Sequence, residues 1–455
     1  MKCCVEQESA GIPTGRKRGF MEKKILIVGT VPYNRQSTSR AFDAYFNGWP
    51  REKLAQIFSN TKTPCKGHCQ KLYQITDQRM LKRWFGAQIA TGKQFFYDEL
   101  PDAWADNDLE VGSAAVSKLY NWGSHKSAFV YLARKLLWRK ALWCTPELEQ
   151  WLDDFQPECV FLAFSDDFFI PEIAMYVADR YQIPIISCIG DDYYFNYKFS
   201  LSPLYHCYKL MYRATVRRVF SHRGTAAYIG DKIRDLYNAN FPLEGETVYL
   251  SSEVARKEFT LIDLESPNIA YFGNIRLGRN ESLCQIATAL GEISPNYRLQ
   301  VYSNEAEPRH YRMLQEHPNV DYRGSVPYSQ VKELMAQCHL QIVVEGFSKK
   351  DVDITRYSLS TKVADALASG CAVFAYGSDQ CGAIEYAAQT GCITTCTRQE
   401  QLQTRLQELL DDTQRQQENY RLAEEVTRQH HTLAVSTAIF RKLVDKVTQT
   451  KEQTP

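Results

Sequence analysis

Residues 356–378, RYSLSTKVADALASGCAVFAYGS, change from a hydroxyl-rich opening to an amphipathic run and then, after one glycine, to an apolar run. Ser360 or Thr361 suits the N-cap of a short helix, and Gly370 suits the left-handed position that follows a helix C-terminus. Such a helix has an apolar stripe spaced i, i+3, i+4, made of Val363, Ala366 and Leu367. Cys371 to Tyr376 is continuously apolar and rich in β-forming residues, which is typical of a strand buried on both faces of a parallel sheet. The stretch therefore predicts an αβ unit.

Strand-like and helix-like segments alternate along most of the chain in the same way. The predicted strands begin near Lys24 and continue at 56–59, 159–164 and 184–189 in the first half, and at 268–273, 297–302, 320–324, 340–344 and 371–376 in the second. Predicted helices lie between them, for example at 127–142, 171–181, 281–293 and 328–338. This alternation predicts an α/β fold with two Rossmann-like, doubly wound domains that face a central cleft.

The polar segment 251–267 interrupts this alternation and divides the chain. We expect a first domain over 21–250, a linker over 251–267 and a second domain over 268–420. The remaining parts are predicted to be a disordered extension (1–20), a helical segment that packs back towards the first domain (421–447) and a frayed tail (448–455).

The length and composition of the chain limit its class. At 455 residues it is longer than one hydrophobic core usually supports, and its net charge of +1 gives no reason to expect a nucleic-acid partner. Several of its 14 cysteines lie inside apolar runs, which is typical of reduced, buried thiols. No run approaches the length of a membrane span, and residues 1–20 lack the apolar core of a secretory signal. We therefore expect a cytoplasmic protein.

Lys362 is unusual because it falls in the first turn of the predicted helix. The helix macrodipole disfavours a cation there by roughly 0.3 to 1 kcal/mol. A phosphate would offset that cost, since it could accept from the free N–H groups and hydroxyls of Ser360 and Thr361 and from the Lys362 ammonium. A solvated lysine that tolerates the small penalty would have the same local sequence. The neighbouring segments decide between these two interpretations.

Three other polar segments follow predicted strands of the second domain. Arg276 and Arg279 come after strand 268–273, Glu345 comes after strand 340–344, and a turn from Gly377 to Glu385 follows strand 371–376. Because the carboxyl ends of parallel strands meet at one edge of a sheet, we expect these segments to lie near Lys362. The sequence therefore predicts an anion site that could take a diphosphate.

Together these segments resemble the second half of the GT-B glycosyltransferases, in particular the bacterial branch of the large retaining nucleotide-sugar family known as glycosyl transferases group 1. The counterparts are Glu345-Gly-Phe, the run from Asp365 to Val373, and the turn from Ser378 to Glu385. The resemblance covers about residues 268–391. It implies a nucleotide-sugar domain with Lys362 as a catalytic group, and donor ligands among Arg276, Arg279, Glu345, Ser360, Thr361, Asp365, Gly382 and Glu385.

The sequence departs from the family pattern in three ways. Asp365 stands where the family has a longer glutamate, and Ser348 to Leu359 are extra residues between the two acids. Asn274 and Asn280 also occupy the positions of the basic pair that the family has after its first strand. Asp365 is still expected to bind ribose hydroxyls, as the second acid of the family does.

The resemblance makes the first half the acceptor domain, and two aspartate pairs follow its strands. Asp191 and Asp192 follow strand 184–189, where family members often have a histidine or aspartate, so they are our acceptor-side candidates. A carboxylate at such a place can take the proton of a hydroxyl. Asp166 and Asp167 follow the preceding strand and suit loop formation or helix capping equally well.

Two further motifs have competing interpretations. Residues 205–223 interleave aromatic side chains with Lys209, Arg213, Arg217, Arg218 and Arg223. They suit either a helix packed on the sheet or a peripheral contact with the inner membrane surface. Cys65-Lys-Gly-His-Cys69 has no second ligand pair with zinc-finger spacing, so we expect no metal site.

We therefore expect a cytoplasmic glycosyltransferase of class EC 2.4 that moves a sugar from a nucleotide diphosphate sugar to a hydroxyl of a glycan or lipid-linked saccharide. The resemblance implies retention of configuration and transfer without a divalent metal or another cofactor. Two alternatives stay open at this point. One is a nucleotide-sugar epimerase on the same fold, and the other is a non-catalytic sugar-binding or scaffold protein.

Overall fold

The structure is a computed structural model that describes residues 22–34, 39–103 and 127–449. The predicted extension 1–20 and the last six residues of the predicted tail lie outside the described residues. Within them, two α/β domains follow one another along the chain. The expected fold class is confirmed: both domains are Rossmann-like, with helices and a largely parallel sheet.

The first domain contains an eight-stranded sheet in the order β4-β3-β2-β1-β5-β6-β7-β8. Its strands are β1 (Ile25–Gly29), β2 (Leu54–Phe58), β3 (Lys71–Ile75), β4 (Gly92–Phe96), β5 (Cys159–Ala163), β6 (Ile185–Ile189), β7 (Gly224–Tyr228) and β8 (Glu246–Thr247). β3 and β4 pair antiparallel, and the other neighbours pair in parallel. The strand order reverses beside β1, and this is where open parallel sheets form a ligand crevice.

Helices cover both faces of this sheet. They are α1 (Ser39–Phe46), α2 (Asp77–Trp84), α3 (Ala128–Leu137), α4 (Lys140–Trp143), α5 (Pro146–Phe155), α6 (Phe169–Tyr181), α7 (Pro203–Phe220) and α8 (Asp231–Asn240). The helix predicted over 127–142 is thus divided into α3 and α4, which are separated by Trp138 and Arg139. Trp138 is fully buried and stacks on Phe169 with ring centroids 3.8 Å apart, so the break places a large aromatic side chain in the core.

The second domain contains a six-stranded parallel sheet in the order β11-β10-β9-β12-β13-β14. Its strands are β9 (Ile269–Phe272), β10 (Leu299–Tyr302), β11 (Val320–Gly324), β12 (Leu340–Val344), β13 (Ala372–Tyr376) and β14 (Thr394–Cys396). The helices that follow are α9 (Arg279–Ile293), α10 (Pro308–Gln315), α11 (Tyr328–Gln337), α12 (Lys349–Thr355), α13 (Thr361–Ser369), α14 (Gly382–Thr390), α15 (Leu402–Asp411), α16 (Thr413–His430) and α17 (Leu433–Gln449).

The opening αβ unit has the predicted geometry. Ser360 is the N-cap residue of α13, and Gly370 ends the helix in the left-handed region with φ of 78°. β13 follows immediately and pairs in parallel with β12. This placement puts the first turn of α13 at the carboxyl end of the sheet, where the side chains of the site are found.

The chain crosses between the domains twice. It passes from β8 into the segment 248–267, and it returns between α16 and α17. α16 packs on α13, whereas α17 packs on α1 and on β7 in the first domain. His431 lies in the second crossing and contacts the first. Its Nδ1 is 3.0 Å from the carbonyl oxygen of Leu250, and its Nε2 is 2.8 Å from the Tyr386 hydroxyl. The two crossings are therefore tied to each other.

Candidate functional site

Four residues meet at the carboxyl end of the second sheet: Gly273 after β9, Arg279 at the start of α9, Glu345 after β12, and Lys362 in the first turn of α13. We call them the strand-end cluster. Parallel pairing of β9, β12 and β13 brings these loops to one edge, as the sequence predicted. The cluster is the region in which most of the predicted donor residues can be compared with the structure.

The Lys362 side chain lies flat across the backbone of Gly273. A Cβ atom at position 273 would be 1.8 Å from the Cε of Lys362, so only glycine leaves room for the lysine. Gly273 also has φ of +145°, a conformation that side chains other than glycine rarely adopt. The Lys362 side chain therefore occupies space that exists only because residue 273 has no side chain.

The Lys362 ammonium lies 5.8 Å from the centre of the Tyr271 ring. Among the residues that the structure describes, it forms no ion pair and no hydrogen bond. Burial lowers its pKa to about 8, and the positive charge of Arg279 acts in the same direction. Because Glu345 and Asp365 only partly offset these effects, a further anion beside Lys362 would stabilise its charged form.

Arg279 and Glu345 form a bidentate ion pair in the same cluster as Lys362. Arg279 donates from Nε and Nη2 to the two oxygens of Glu345, each at 3.0 Å. Glu345 is buried, and burial raises its pKa although the charges of Arg279 and Lys362 oppose the rise. With its guanidinium bound to Glu345, Arg279 adds positive potential and rigidity to the cluster.

The loop that joins β9 to α9 is held in an unusual conformation. Leu277 has φ of 61° and Gly278 has φ of 73°, and left-handed backbone costs a residue with a side chain about 1 kcal/mol. Gly346 packs so closely on this loop that a Cβ there would be 2.3 Å from the carbonyl oxygen of Leu277. Strained backbone of this kind concentrates at functional sites.

The structure does not bring Arg276 to the cluster. Its side chain is exposed and donates to Glu305 and Glu307 at the end of β10. The Glu305 carboxylate has a pKa of about 2 because of its hydrogen bond with Arg276. Of the two arginines predicted to reach a diphosphate, only Arg279 lies beside Lys362.

Asp365 lies one turn beyond Lys362 and contacts the first domain. Its carboxylate accepts from Arg40 Nη1 and from the Ser252 hydroxyl, each at 2.7 Å. Arg40 begins α1 and also donates to the carbonyl oxygen of Ser251 at 2.8 Å. Asp365 therefore takes part in a contact between the domains, and neither its length nor its place in the sequence indicated this.

The predicted donor residues that have a hydroxyl group or no side chain lie near the contact of Asp365 with the first domain. Ser360 precedes α13 without a side-chain capping bond, Thr361 is exposed, and Gly382 opens α14. Glu385, in the first turn of α14, forms an ion pair with Lys232 of α8 in the first domain. The predicted donor residues thus extend from the strand-end cluster to the boundary between the domains.

The two acceptor-side aspartates have different surroundings. Asp192 accepts from the backbone N–H groups of Tyr194 and Phe195 and from the Tyr237 hydroxyl, all at one carboxylate oxygen and within 3.0 Å, so it shapes the loop. Asp191 is exposed at the surface that faces the second domain. Its Oδ1 accepts from the Ser358 hydroxyl at 2.5 Å. Only Asp191 of this pair points towards the other domain.

The second aspartate pair and the basic stripe serve the packing of the first domain. Asp166 accepts from the Tyr131 hydroxyl, and Asp167 is buried against Arg134 at 2.6 Å. In α7, three cations of the stripe donate to the loop that carries Asp191. Lys209 donates to the carbonyl oxygen of Tyr193. Arg213 donates to the carbonyl oxygen of Tyr194, and Arg217 donates to the Tyr194 hydroxyl. These cations stabilise the loop; Lys209 is buried, whereas Arg217 stays exposed.

Within the described residues, no three histidine, cysteine, aspartate or glutamate side chains are grouped so that they could hold a metal ion. His68 of the Cys-Lys-Gly-His-Cys segment instead lies 2.7 Å from Asp43. Among the described helices, none combines the length and the apolar character that crossing a membrane requires.

Arg40, Ser358 and Lys232 are the residues that sequence reasoning missed. Each contacts a predicted site residue in the other domain, and their partners are Asp365, Asp191 and Glu385. The partners in these pairs are more than 100 residues apart in the sequence, so no local pattern could have linked them. Ser358 belongs to the insertion that interrupts the family pattern.

Comparison with known proteins agrees with this fold. Residues 279–439 match the family described as glycosyl transferase-like. HepE of Anabaena, crystallised with UDP-glucose, has a TM-score of 0.57 at 10% identity, over 93% of this chain and 100% of that chain. Sucrose-phosphate synthase from Thermosynechococcus elongatus has a TM-score of 0.55 at 9% identity, over 95% and 100%. A glycosyltransferase from Rickettsia africae has a TM-score of 0.52 at 10% identity, over 93% and 98%. No curated protein matches the chain by sequence.

Proposed function

We propose that this chain, which has a GT-B fold and matches a glycosyl transferase-like family over residues 279–439, is a glycosyltransferase that moves a sugar from a nucleotide diphosphate sugar to a hydroxyl acceptor. The observation that carries the proposal is the Lys362 ammonium. It lies at the N-terminus of α13, held against Gly273, without an anionic partner among the described residues. The two acids nearest to it are each bonded to an arginine, which leaves Lys362 to receive an anion.

A diphosphate group fits this arrangement. Its oxygens would accept from Lys362 and from the free N–H groups of the first turn of α13, with the hydroxyls of Ser360 and Thr361 beside them. As the bond from the anomeric carbon to the diphosphate oxygen breaks, negative charge builds on that oxygen. A fixed cation and a helix N-terminus stabilise such charge without reorganising.

Asp191 is the residue that we assign to the acceptor. It follows β6 in the first domain, faces the second domain and already accepts a hydrogen bond from a hydroxyl. The acceptor oxygen would form a bond to the anomeric carbon while its proton passes to the Asp191 carboxylate and then to solvent. Asp192 would keep the loop in place through its three hydrogen bonds.

Two finer features of the reaction belong to the same proposal. Retention of anomeric configuration rests on the resemblance to the retaining family. Transfer without a divalent metal rests on Lys362 and the helix N-terminus as the groups that bind the diphosphate charge. A glycan or lipid-linked saccharide is the proposed acceptor class.

We also propose a peripheral contact with the inner membrane surface. It would be made by the apolar tip before α7, where Phe199 is 92% exposed and Leu201 is 88% exposed, rather than by the cations of the stripe. The tip continues from the loop that carries Asp191, so a lipid-linked acceptor would be delivered beside it. Flotation with vesicles that contain anionic lipid tests this contact. The F199S/L201S double variant should lose flotation, and equal flotation of the wild type and the variant would contradict the contact.

Donor binding tests the main proposal. Thermal unfolding is measured with UDP-, GDP- and dTDP-linked sugars and with the free nucleotides, followed by an assay for slow donor hydrolysis. A rise in melting temperature with one nucleotide series, lost in the Lys362→Met variant and kept in Lys350→Met on the exposed surface, is the expected result. If none of these nucleotides raises the melting temperature, the donor site proposed here does not exist.

A further inference from the structure

The extra residues 348–359 form a bridge between the domains. After α12, the chain runs towards the first domain, where Tyr357 packs against the edge of its hydrophobic core. Leu359 contacts Gly230 so closely that a Cβ at position 230 would be 3.2 Å from that of Leu359. The insertion that interrupts the family pattern therefore lies against the surface from which Asp191 projects.

Ser358 is at the centre of this bridge. Its hydroxyl donates to Asp191 Oδ1 at 2.5 Å, and its carbonyl oxygen lies against Gly382 at the start of α14, where a Cβ would be 2.8 Å away. Chemically, the serine presents a primary alcohol to the carboxylate that we assign to the acceptor. The structure thus already contains a hydroxyl in the place where an acceptor hydroxyl must arrive.

The hydrogen bond between Ser358 and Asp191 lies where another hydroxyl can replace that of the serine. Asp191 is exposed, and among the described residues its other oxygen has only a long contact of 3.4 Å with the Tyr193 hydroxyl. Tyr357 and Leu359 anchor the bridge on either side through apolar contacts, and the nearby Lys232–Glu385 ion pair joins the same surfaces. Because these contacts hold the bridge without the hydroxyl of Ser358, that hydroxyl can leave the carboxylate while the bridge stays in place.

We propose that Ser358 is a positioning residue that occupies the acceptor-hydroxyl position on Asp191 until an acceptor displaces it. The proposal rests on the proposed function. In the free enzyme the serine keeps water from being activated by the carboxylate, so a bound donor is protected from hydrolysis. When a polyhydroxylated acceptor binds, one of its hydroxyls replaces that of Ser358 at Asp191. The proton of this hydroxyl passes to the Asp191 carboxylate, and its oxygen forms a bond to the anomeric carbon as the bond from that carbon to the diphosphate breaks.

Donor hydrolysis, with water as the only acceptor, tests this role. The wild type, Ser358→Ala and Ser358→Thr are assayed with UDP-glucose as the probe, and binding of UDP-glucose is followed by the melting temperature. Ser358→Ala should hydrolyse the donor roughly 10- to 100-fold faster than the wild type, which is the scale of one lost hydrogen bond to a charged group. Ser358→Thr keeps a hydroxyl and should keep the wild-type rate.

Leu359→Ala is the matched control, because it weakens the bridge next to Gly230 and leaves the hydroxyl on Asp191. A purely structural role for the bridge would make Leu359→Ala behave like Ser358→Ala. The melting temperatures of Ser358→Ala, Asp191→Ala and the double variant give a second measurement without donor. The double variant should show no further decrease, since both single changes remove the same hydrogen bond.

The outcomes separate this inference from the proposed function. Binding of UDP-glucose with equal hydrolysis by the wild type and Ser358→Ala would overturn the role of Ser358 alone, as would additive melting-temperature shifts. If neither UDP-glucose nor any GDP- or dTDP-linked sugar binds to or reacts with any of these proteins, the proposed function fails and the inference fails with it.

Discussion

The Arg40 guanidinium lies 2.7 Å from the Asp365 carboxylate and joins the two domains one helical turn away from Lys362. Both side chains are largely buried, with 15% and 6% of their side-chain surfaces exposed. Burial raises the pKa of Asp365, and the contacts with Arg40 and Ser252 oppose that rise. The Arg40 guanidinium therefore favours the ionised form of Asp365 and offsets part of the cost of burying its carboxylate at the boundary between the domains.

Replacing Arg40 by alanine should destabilise the protein. The Asp365 carboxylate would stay buried without its cation, and such a change costs about 3 kcal/mol. The measurement is the free energy of unfolding from denaturant titration. Arg428→Ala is the control, because its ion pair with Glu425 lies on the exposed surface of α16 and contributes little. A stability loss of the same size in both variants would contradict this role of the pair.

The Arg279–Glu345 pair should show strong coupling. Arg279→Leu or Glu345→Leu alone leaves one buried charge without its partner and should cost about 3 kcal/mol or more. The double leucine variant should recover much of that loss, since no unpaired charge is left. A double-mutant cycle in denaturant measures the coupling, and additive losses would show that the two side chains do not support each other.

Replacing Lys362 by methionine should weaken donor binding by roughly 10- to 100-fold, the scale of a hydrogen bond between charged groups. In the wild type, affinity for the donor should fall as the pH rises through about 8, because the ammonium then loses its proton. Titration calorimetry at several pH values measures both effects. A wild-type affinity that does not change across this range would exclude the ammonium as the ligand.

The same substitution should stabilise the protein at neutral pH. Lys362 has a pKa of about 8 when folded, against an ordinary value of 10.5. The unfolded chain therefore binds more protons between these values, so the contribution of Lys362 to stability rises with pH across that window. At lower pH the buried charge is a cost that Lys362→Met removes. The melting temperature of the ligand-free variant at neutral pH is the measurement, and a decrease would show that the lysine has a structural partner.

Gly273→Ala should impair donor binding through Lys362. The new methyl group would be placed 1.8 Å from the Cε of the lysine, so the side chain must leave its position. Gly391→Ala is a matched control for backbone strain, because Gly391 also has a positive φ, of +68°, but a Cβ at that position would have no atom within 4 Å. Donor affinity should fall only in Gly273→Ala. If both variants bind donor equally, the position of Lys362 has no part in binding.

His431 should make the protein sensitive to acid. Burial lowers its pKa to about 4, and the neighbouring charges of His430 and Arg40 act in the same direction. Because the unfolded histidine has its ordinary value of 6.5, the unfolded state binds more protons below that pH and stability falls as the pH decreases towards 4. His431→Gln should lose part of this dependence in thermal unfolding. His222→Gln, which changes a histidine at the end of α7, should keep it.

The sequence predicted those features that local rules determine. The N-cap position of Ser360, the left-handed Gly370 and the apolar run of β13 follow from residue type and spacing, and the structure agrees with each, although the Ser360 side chain makes no capping hydrogen bond. Parallel pairing then places the loops after β9, β12 and β13 at one edge, which explains why Lys362, Arg279 and Glu345 lie together.

The pairing of charges at the site could not be predicted in this way. Arg276 and Arg279 are separated by one helical turn and have the same chemistry, yet one binds Glu305 and the other binds Glu345. Which carboxylate each arginine reaches depends on the φ values of Leu277 and Gly278, and these are set by packing against Gly346. Contacts between domains, such as that of Arg40 with Asp365, join segments that are far apart in the sequence. No local pattern around either residue therefore indicates them.

The last described helix has a consequence for how the protein is made. Phe440, Leu443 and Val444 of α17 fill the core between α1 and the first sheet. During synthesis on the ribosome, that face of the sheet is therefore only partly covered until residues 433–449 have emerged, long after most of the second domain has been translated. The domain that is made first is thus completed last, and the growing chain must avoid aggregation through this uncovered surface in the meantime.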